Sequence, residues 1–260
     1  MRAHANEMLV RKKQIIEEAV TQLMIDWLPG EIHLVPGSTD GIEIVQWCPV
    51  LFPERRLFRV QHHGNSVKIK DGRKSWPGIA WNWRKTVLKI ILPKHRLESL
   101  AITGVGMSVK INQLHADTCI CNVTSGRAEL SGKLQRLQLK AVASLVIAEG
   151  LEAEELALRA TSSNIELSGG YSEVDAHVTG GKLALLSAIV PHCMDTLSTA
   201  AKLTFSIPDN DGFTLRSSKY SGSCSSNFSM SNRGSDMVYK DGSRIYSAKL
   251  RGGSYHLLRS

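Results

Sequence analysis

The sequence predicts a mainly β protein: a single-chain, β-helix-like β-solenoid with coils of about 18–20 residues, preceded by an N-terminal amphipathic α-helix. Three observations carry that prediction. Apolar pairs spaced two apart recur at a near-constant period through the middle of the chain. Short alternating segments bounded by turn residues fill most of the remainder, and only the first 30 residues show helical spacing.

Residues 7–28 read as the helix. Leu9, Ile16, Val20, Leu23 and Trp27 recur at spacings of three, four and seven, while Arg11, Lys12, Glu17, Glu18 and Asp26 occupy the other face. Pro29-Gly30 ends the pattern. A stripe this narrow is expected to pack on the protein's own body rather than on a partner helix or a membrane surface. Residues 1–30 are therefore expected to form a helical appendage to a β-strand-repeat domain of residues 31–260.

From Glu31 to about His95 the pattern changes to short strands. Ile32–Val35, Ile42–Val45, Leu57–Val60, Val67–Ile69 and Val87–Leu92 are each bounded by Gly, Pro, Asp or Asn.

The repeat follows, with regular coils over about residues 97–190. Leu100/Ile102, Cys119/Cys121, Leu137/Leu139, Leu156/Leu158 and Val174/Ala176 stand successively 19, 18, 19 and 18 residues apart. A second set, Val109/Ile111, Ala128/Leu130, Leu145/Ile147, Ile165/Leu167 and Leu183/Leu185, keeps step at 19, 17, 20 and 18. Two residues two apart point to one face of a strand. Turn residues such as Thr124-Ser125-Gly126 and Thr161–Asn164 separate the strands. One such unit cannot bury its apolar face alone; stacked units place aliphatic side chains over one another in a narrow core. A sandwich also uses short strands, but it does not require two apolar columns to stay in register across five units.

Beyond Pro191 the register loosens. Leu203/Phe205/Ile207, Phe213/Leu215, Phe228/Met230, Met237–Tyr239, Ile245/Tyr246 and Tyr255/Leu257 still read as strands between Gly-rich turns. The Ser-, Gly- and Asn-rich stretch 217–236 is either further coils or an excursion. Open solenoid ends need cover, for which the N-terminal helix and the aromatic C-terminal strands are the candidates.

Composition bounds the function. The net charge of +8 is concentrated in residues 1–96, where Lys and Arg exceed Asp and Glu by seven; the rest of the chain adds only one. All five Trp lie in that first part and all five Tyr lie from Tyr171 onward. No apolar run reaches the roughly 20 residues that cross a bilayer, Leu183–Val190 being the longest, and charges interrupt Met8-Leu9-Val10 before a signal core forms. Five cysteines without framework spacing fit a reducing compartment. The expected location is cytoplasmic, with peripheral envelope association as the variant of that reading.

The opening strands Glu31–Val35 and Ile42–Gln46, the step Val87–Pro93, the segment Leu97–Ile102, the turn Thr124-Ser125-Gly126 and the later Leu-x-Leu coils resemble an adhesin-like β-strand-repeat family of bacteria, the domain of unknown function DUF4097. The resemblance covers about residues 31–258 and is one of architecture, since none of these motifs is catalytic. It implies a β-solenoid of parallel coils without established enzymatic activity. It further implies links, in some relatives, to the cell envelope and its stress response, and in some a helical N-terminal segment.

No motif in the chain carries chemistry. Gly180-Gly181-Lys182 lacks the upstream Gly of a phosphate loop, Gly104-Val105-Gly106 lacks the third Gly of a dinucleotide turn, and neither G-x-S-x-G nor H-E-x-x-H occurs. Cys119 and Cys121 share a face, but in a column held elsewhere by Leu, Ile and Val, so they read as core. His62-His63 point to opposite sides of a strand, with chelation open only from a turn. Glu149, Glu152, Glu154 and Glu155 read as a solvated corner rather than a cation site. No cofactor or metal is expected.

Two binding surfaces are the candidate sites. In the first, Arg73, Lys74, Trp76, Trp81, Trp83, Arg84 and Lys85 interleave cations with indoles, a chemistry that stacks on bases or sugars or sits among lipid headgroups. The alternative is that Trp81 and Trp83 plug one end of the core. The second is the outward column Thr103, Asn122, Lys140, Arg159 and His177, whose members would lie about 4.8 Å apart as a polar, partly basic ladder. A solvated face explains it equally, and an anionic polymer along the coils is the functional reading. The expected function is a non-enzymatic scaffold or adhesin-like interaction protein, whose partner is a protein or an anionic envelope polymer rather than nucleic acid. The alternative is a nucleic-acid- or polyanion-binding module served by the basic N-terminal third, and the oligomeric state stays open. An enzyme built on a β-helix would need a groove-facing carboxylate pair.

Overall fold

The computed structural model describes residues 7–73, 86–234 and 236–260, and no α-helix occurs among them. The chain divides into two compact units, residues 1–132 and 133–260, with the division inside strand β10, Arg127–Val142.

The first unit is built from β1 (Met8–Ile16), β2 (Gln22–Trp27), β3 (Gly30–Pro36), β4 (Ile42–Pro49), β5 (Arg59–His63), β6 (Ser66–Lys70), β7 (Val87–Leu92), β8 (Leu97–Val105) and β9 (Met107–Thr124). They make two layers. One runs β1-β4-β7-β3 and on to the start of β9, antiparallel across β1/β4 and β4/β7 and parallel thereafter. The other runs β5-β6-β2-β8 and on to the end of β9, parallel except for the β5/β6 pair.

Register in the second layer stacks Val67, Leu23, Leu100 and Cys119 in one column and Ile69, Ile25, Ile102 and Cys121 in the next. Every one of these side chains is at most 1% exposed. The first layer stacks Ile44, Ile90, Leu34 and Ile111, beside Gln46, Leu88, Ile32 and Val109. Gln46 is the polar member of that aliphatic column. It is fully buried, and its Oε1 accepts the Phe58 backbone N–H at 2.8 Å. The two cysteines behave as small apolar residues: burial raises both thiols, that of Cys121 to about 12.

The expected N-terminal amphipathic helix does not form; β1 and β2 occupy its place. In β2 the residues Leu23, Ile25 and Trp27 point inward while Met24 and Asp26 do not, a period of two, and the strand pairs with both β6 and β8. The helical stripe arose because Ile16 ends a strand, Val20 sits in the link, and alternate members of β2 fall three and seven residues further on. Ile25, buried to 1%, had no place in that stripe. Val10, Ile15, Ile16, Val20 and Ile25 are β-branched, which favours extended backbone.

The second unit comprises the rest of β10, then β11 (Leu145–Ser187), β12 (Cys193–Ile207), β13 (Gly212–Ser226), β14 (Ser231–Arg233), β15 (Asp236–Lys240) and β16 (Arg244–Arg259). The 43 residues of β11 turn corners while staying extended. One corner recurs with left-handed backbone at Ala143, Ser162, Gly180 and Ala200, with φ of 48°, 50°, 64° and 51°; in the first unit Gly106 and Ser125 hold the same conformation. The period of the corner is that of the coil.

One register differs from the sequence reading. Val146 and Ala148, 0% and 2% exposed, point inward, and Leu145 and Ile147 are the partly exposed pair. The shift makes the spacings from Ala128 and to Ile165 18 and 19, so the repeat is more regular than Leu145/Ile147 implied.

Strand order in this unit is β11-β12-β16-β13-β15-β14, so the last strand of the chain lies between two earlier ones, parallel to both. Val174, Met194, Tyr246 and Leu215 stack in one column, and Leu183, Leu203 and Tyr255 in another. Phe213 anchors an aromatic cluster, with Tyr246 at 4.9 Å, Phe228 at 5.1 Å and Tyr239 at 5.4 Å between ring centroids.

Candidate functional site

In the first unit, the face of the β1-β4-β7-β3-β9 layer opposite the buried columns brings distant sequence positions into rows. Lys13 registers with Val45, Val45 with Lys89, Lys89 with His33 and His33 with Lys110. Two residues along the same strands, Ile15 registers with Glu43, Glu43 with Ile91 and Ile91 with Val35. A basic row therefore lies directly beside an apolar row.

The charges in the basic row are partly matched. Lys13 Nζ lies 2.9 Å from Glu43 Oε1, His33 Nε2 lies 3.5 Å from Glu31, and Lys110 Nζ lies 3.4 Å from Glu129. The Arg127 hydrogen bond, with help from Lys110, holds the Glu129 carboxyl below its ordinary range. Lys89 has no ion-pair partner among the described residues and is half-buried.

A groove of about 910 Å³ opens on the apolar row where the strands end. Ile15, Glu43 and Ile91 line its floor, and the Pro36–Thr39 turn and Gly41 form its wall. Two glycines bring the wall in. A Cβ on Gly37 would run into the Leu92 carbonyl oxygen, and one on Gly41 into that of Ile16. Ile15 is left 56% exposed.

The second unit carries a smaller groove of about 290 Å³ on its own outer face. Ala184 leaves a gap between Glu166 and Thr204, with Glu149 and Leu186 alongside. Among the described residues, no three His, Cys, Asp or Glu side chains gather as a metal-binding set.

The residues singled out from sequence fare differently. Arg73, expected on an interaction surface, is 5% exposed and turned inward: its guanidinium holds the Asp71 carboxylate through Nε at 2.9 and 3.0 Å and through Nη2 at 2.5 Å. The tight turn at Gly72 accounts for this, since a side chain there would strike the Leu57 carbonyl and force the two residues apart. Lys74, Trp76, Trp81, Trp83, Arg84 and Lys85 lie outside the described residues.

The polar ladder is outward, as its alternation requires, but its charge is matched on the spot. In the first unit Asn122 Nδ2 donates to Thr103 Oγ1 at 3.3 Å. In the second, Asp175 accepts from Arg159 at 2.6 Å and lies 3.3 Å from His177, while Lys140 is exposed. A single column had been read, and the neighbouring outward column supplies the carboxylate. At the acidic corner, Lys133 pairs with Glu152 at 2.9 Å and Arg136 with Glu155 at 2.7 Å.

The rows on β1, β4, β7 and β3 were not singled out from sequence. Their signal was the repeated Lys-x-Ile of Lys13/Ile15 and Lys89/Ile91, legible only once Met8–Ile16 is taken as a strand.

No helix among the described residues is long and apolar enough to cross a membrane. No curated protein matches the chain at a significant level. Three solved structures are similar to it along nearly their whole lengths. A candidate cell adhesion protein from Clostridium sporogenes is 12% identical, with 96% of this chain and 99% of that one covered and a TM-score of 0.31. A candidate adhesin from Bacteroides fragilis is 11% identical, with 97% of each chain covered and a TM-score of 0.49. A candidate lipid binding protein from Parabacteroides distasonis is 10% identical, with 95% and 96% covered and a TM-score of 0.45. The family model described as Toastrack DUF4097 matches residues 31–247, so the chain belongs to the Toastrack DUF4097 family.

Proposed function

We propose that this protein is a non-enzymatic scaffold that binds an acidic partner, an envelope polymer or an acidic protein, on the outer face of its N-terminal unit. The supporting observation is the row Lys13, Lys89, His33 and Lys110, in which Lys89 has no ion-pair partner among the described residues. Four cationic or titratable side chains spread over five paired strands match a chain of regularly spaced anions better than a single small one. The basic and indole-bearing segment with Lys74, Trp76, Trp81, Trp83, Arg84 and Lys85 belongs to the same unit and is proposed as a second contact. The ladder of Asn122, Lys140, Arg159 and His177 is a weaker candidate, because Asp175 already takes up two of its charges.

The nucleic-acid reading rests on the same basic excess and is separated by experiment. Binding of the full chain to a poly(glycerol phosphate) polymer and to duplex DNA is measured at about 50 and 200 mM salt. The expected result is polymer binding that falls about tenfold in Lys89→Glu/Lys110→Glu, with DNA bound more weakly at both salts. DNA binding that exceeds polymer binding, or polymer binding indifferent to the double substitution, would overturn the proposal.

A further inference from the structure

We infer that the groove at the ends of β1, β4 and β7 is a site for an anionic amphiphile, its apolar tail over Ile15 and Ile91 and its acidic headgroup on Lys13 and Lys89. The headgroup contact rests on the basic row invoked above; the tail contact is independent of it.

Volume and lining come first. At about 910 Å³ the groove is of the size that holds a whole small ligand, and Ile15, Ile16, Ile42, Ile91 and Pro36 make most of its surface apolar. It is also built. Gly37 and Gly41 bring the 36–41 turn onto the ends of β7 and β1 at distances that no side chain would permit. An isoleucine left 56% exposed at the mouth of such a groove is an unfilled apolar contact.

The charge beside the groove selects the headgroup. Lys13 and Lys89 stand two residues before Ile15 and Ile91 on the same faces of the same strands, which is about 7 Å at the usual rise per residue. That is the separation between an acidic headgroup and the first few methylenes of its chain. Glu43, the one carboxylate on the floor, is neutralised by Lys13 at 2.9 Å, so it does not repel the ligand. Lys89 supplies the uncompensated positive charge. A sugar-phosphate polymer would satisfy Lys89 but leave the isoleucines wet, and a neutral lipid would do the reverse.

The test titrates the full chain calorimetrically with lysophosphatidylglycerol, kept below its micelle concentration, and with lysophosphatidylcholine of the same chain length. Saturable one-to-one binding of the anionic lipid is expected, about tenfold tighter than the zwitterionic one. Lys89→Glu should abolish that preference, and Ile15→Asp should weaken both lipids about tenfold while leaving polymer binding unchanged. Absence of saturable binding, equal affinity for the two lipids, or a preference that survives Lys89→Glu overturns the inference. Should Ile15→Asp lower the melting temperature, the headgroup preference in Lys89→Glu decides alone. Lipid binding without polymer binding sinks the polymer reading and keeps this one; polymer binding without lipid binding does the opposite.

Discussion

Tyr171, Tyr246 and Tyr255 are each fully buried, yet their hydroxyls meet different fates. Tyr246 donates to the Pro191 carbonyl at 2.8 Å, whereas the hydroxyls of Tyr171 and Tyr255 find no partner among the described residues. Burial pushes all three phenols up, because the charged form would lie in a dry interior. A buried hydroxyl without a partner costs on the order of 1–3 kcal/mol, while a satisfied one contributes about 1 kcal/mol. Tyr171→Phe and Tyr255→Phe should therefore leave stability unchanged or raise it by up to about 2 kcal/mol, whereas Tyr246→Phe should lower it by about 1 kcal/mol. Urea unfolding of the three variants checks this, since each removes the same oxygen from a different environment. Equal losses in all three would mean that packing of the ring, rather than pairing of the hydroxyl, sets the outcome.

Elements in this fold are defined by their corners as much as by their strands. At Gly181, φ is 77° and a Cβ would run into the Ser163 carbonyl of the preceding coil; at Ala200 a left-handed φ of 51° is held by a residue that does have a Cβ. Opposite substitutions should have opposite signs. Gly181→Ala should destabilise by about 2 kcal/mol or more, and Ala200→Gly should be neutral to about 1 kcal/mol stabilising, the relief of backbone strain being offset by glycine's greater entropy loss. Thermal melting of the two variants reads both signs. The same elements show what the sequence makes legible. Leu100/Ile102 and Cys119/Cys121 could be placed because aliphatic stacking repeats at the coil length, and the structure buries all four. Residues 7–28 were misread because strands joined by a short link mimic helical spacing when only some of their buried residues are counted. Leu145/Ile147 slipped by one because small inward residues such as Ala148 give a weak signal beside larger outward ones. The groove escaped for another reason: Ile15, Glu43 and Ile91 become neighbours only through the β1-β4-β7 pairing, which no local pattern encodes.

At the scale of the chain, the strand order of the second unit reverses the usual relation between sequence position and stability. Chain ends commonly fray and exchange their amides readily. Here the 16 residues of β16 hydrogen-bond to β12 on one side and β13 on the other, and Tyr246, Ala248, Leu250, Tyr255 and Leu257 are at most 2% exposed. The outermost long strand is instead the earlier β13, whose second half is rich in Ser and Gly. Register shifts around Tyr220 and Gly222 interrupt its pairing, and Tyr220 is 94% exposed. Bulges and polar residues of this kind blunt a strand edge against unwanted pairing. Amides of Leu250 and Leu257 should consequently exchange as slowly as those of Leu203 and Phe205 in β12, while those of Ser221–Ser226 exchange sooner. Native-state hydrogen exchange read residue by residue makes the comparison directly. Exchange of β16 a hundredfold or more faster than β12 would show that the inserted strand detaches while β12 stays folded, and that its two rows of backbone pairing do not bind it into the unit's cooperative core.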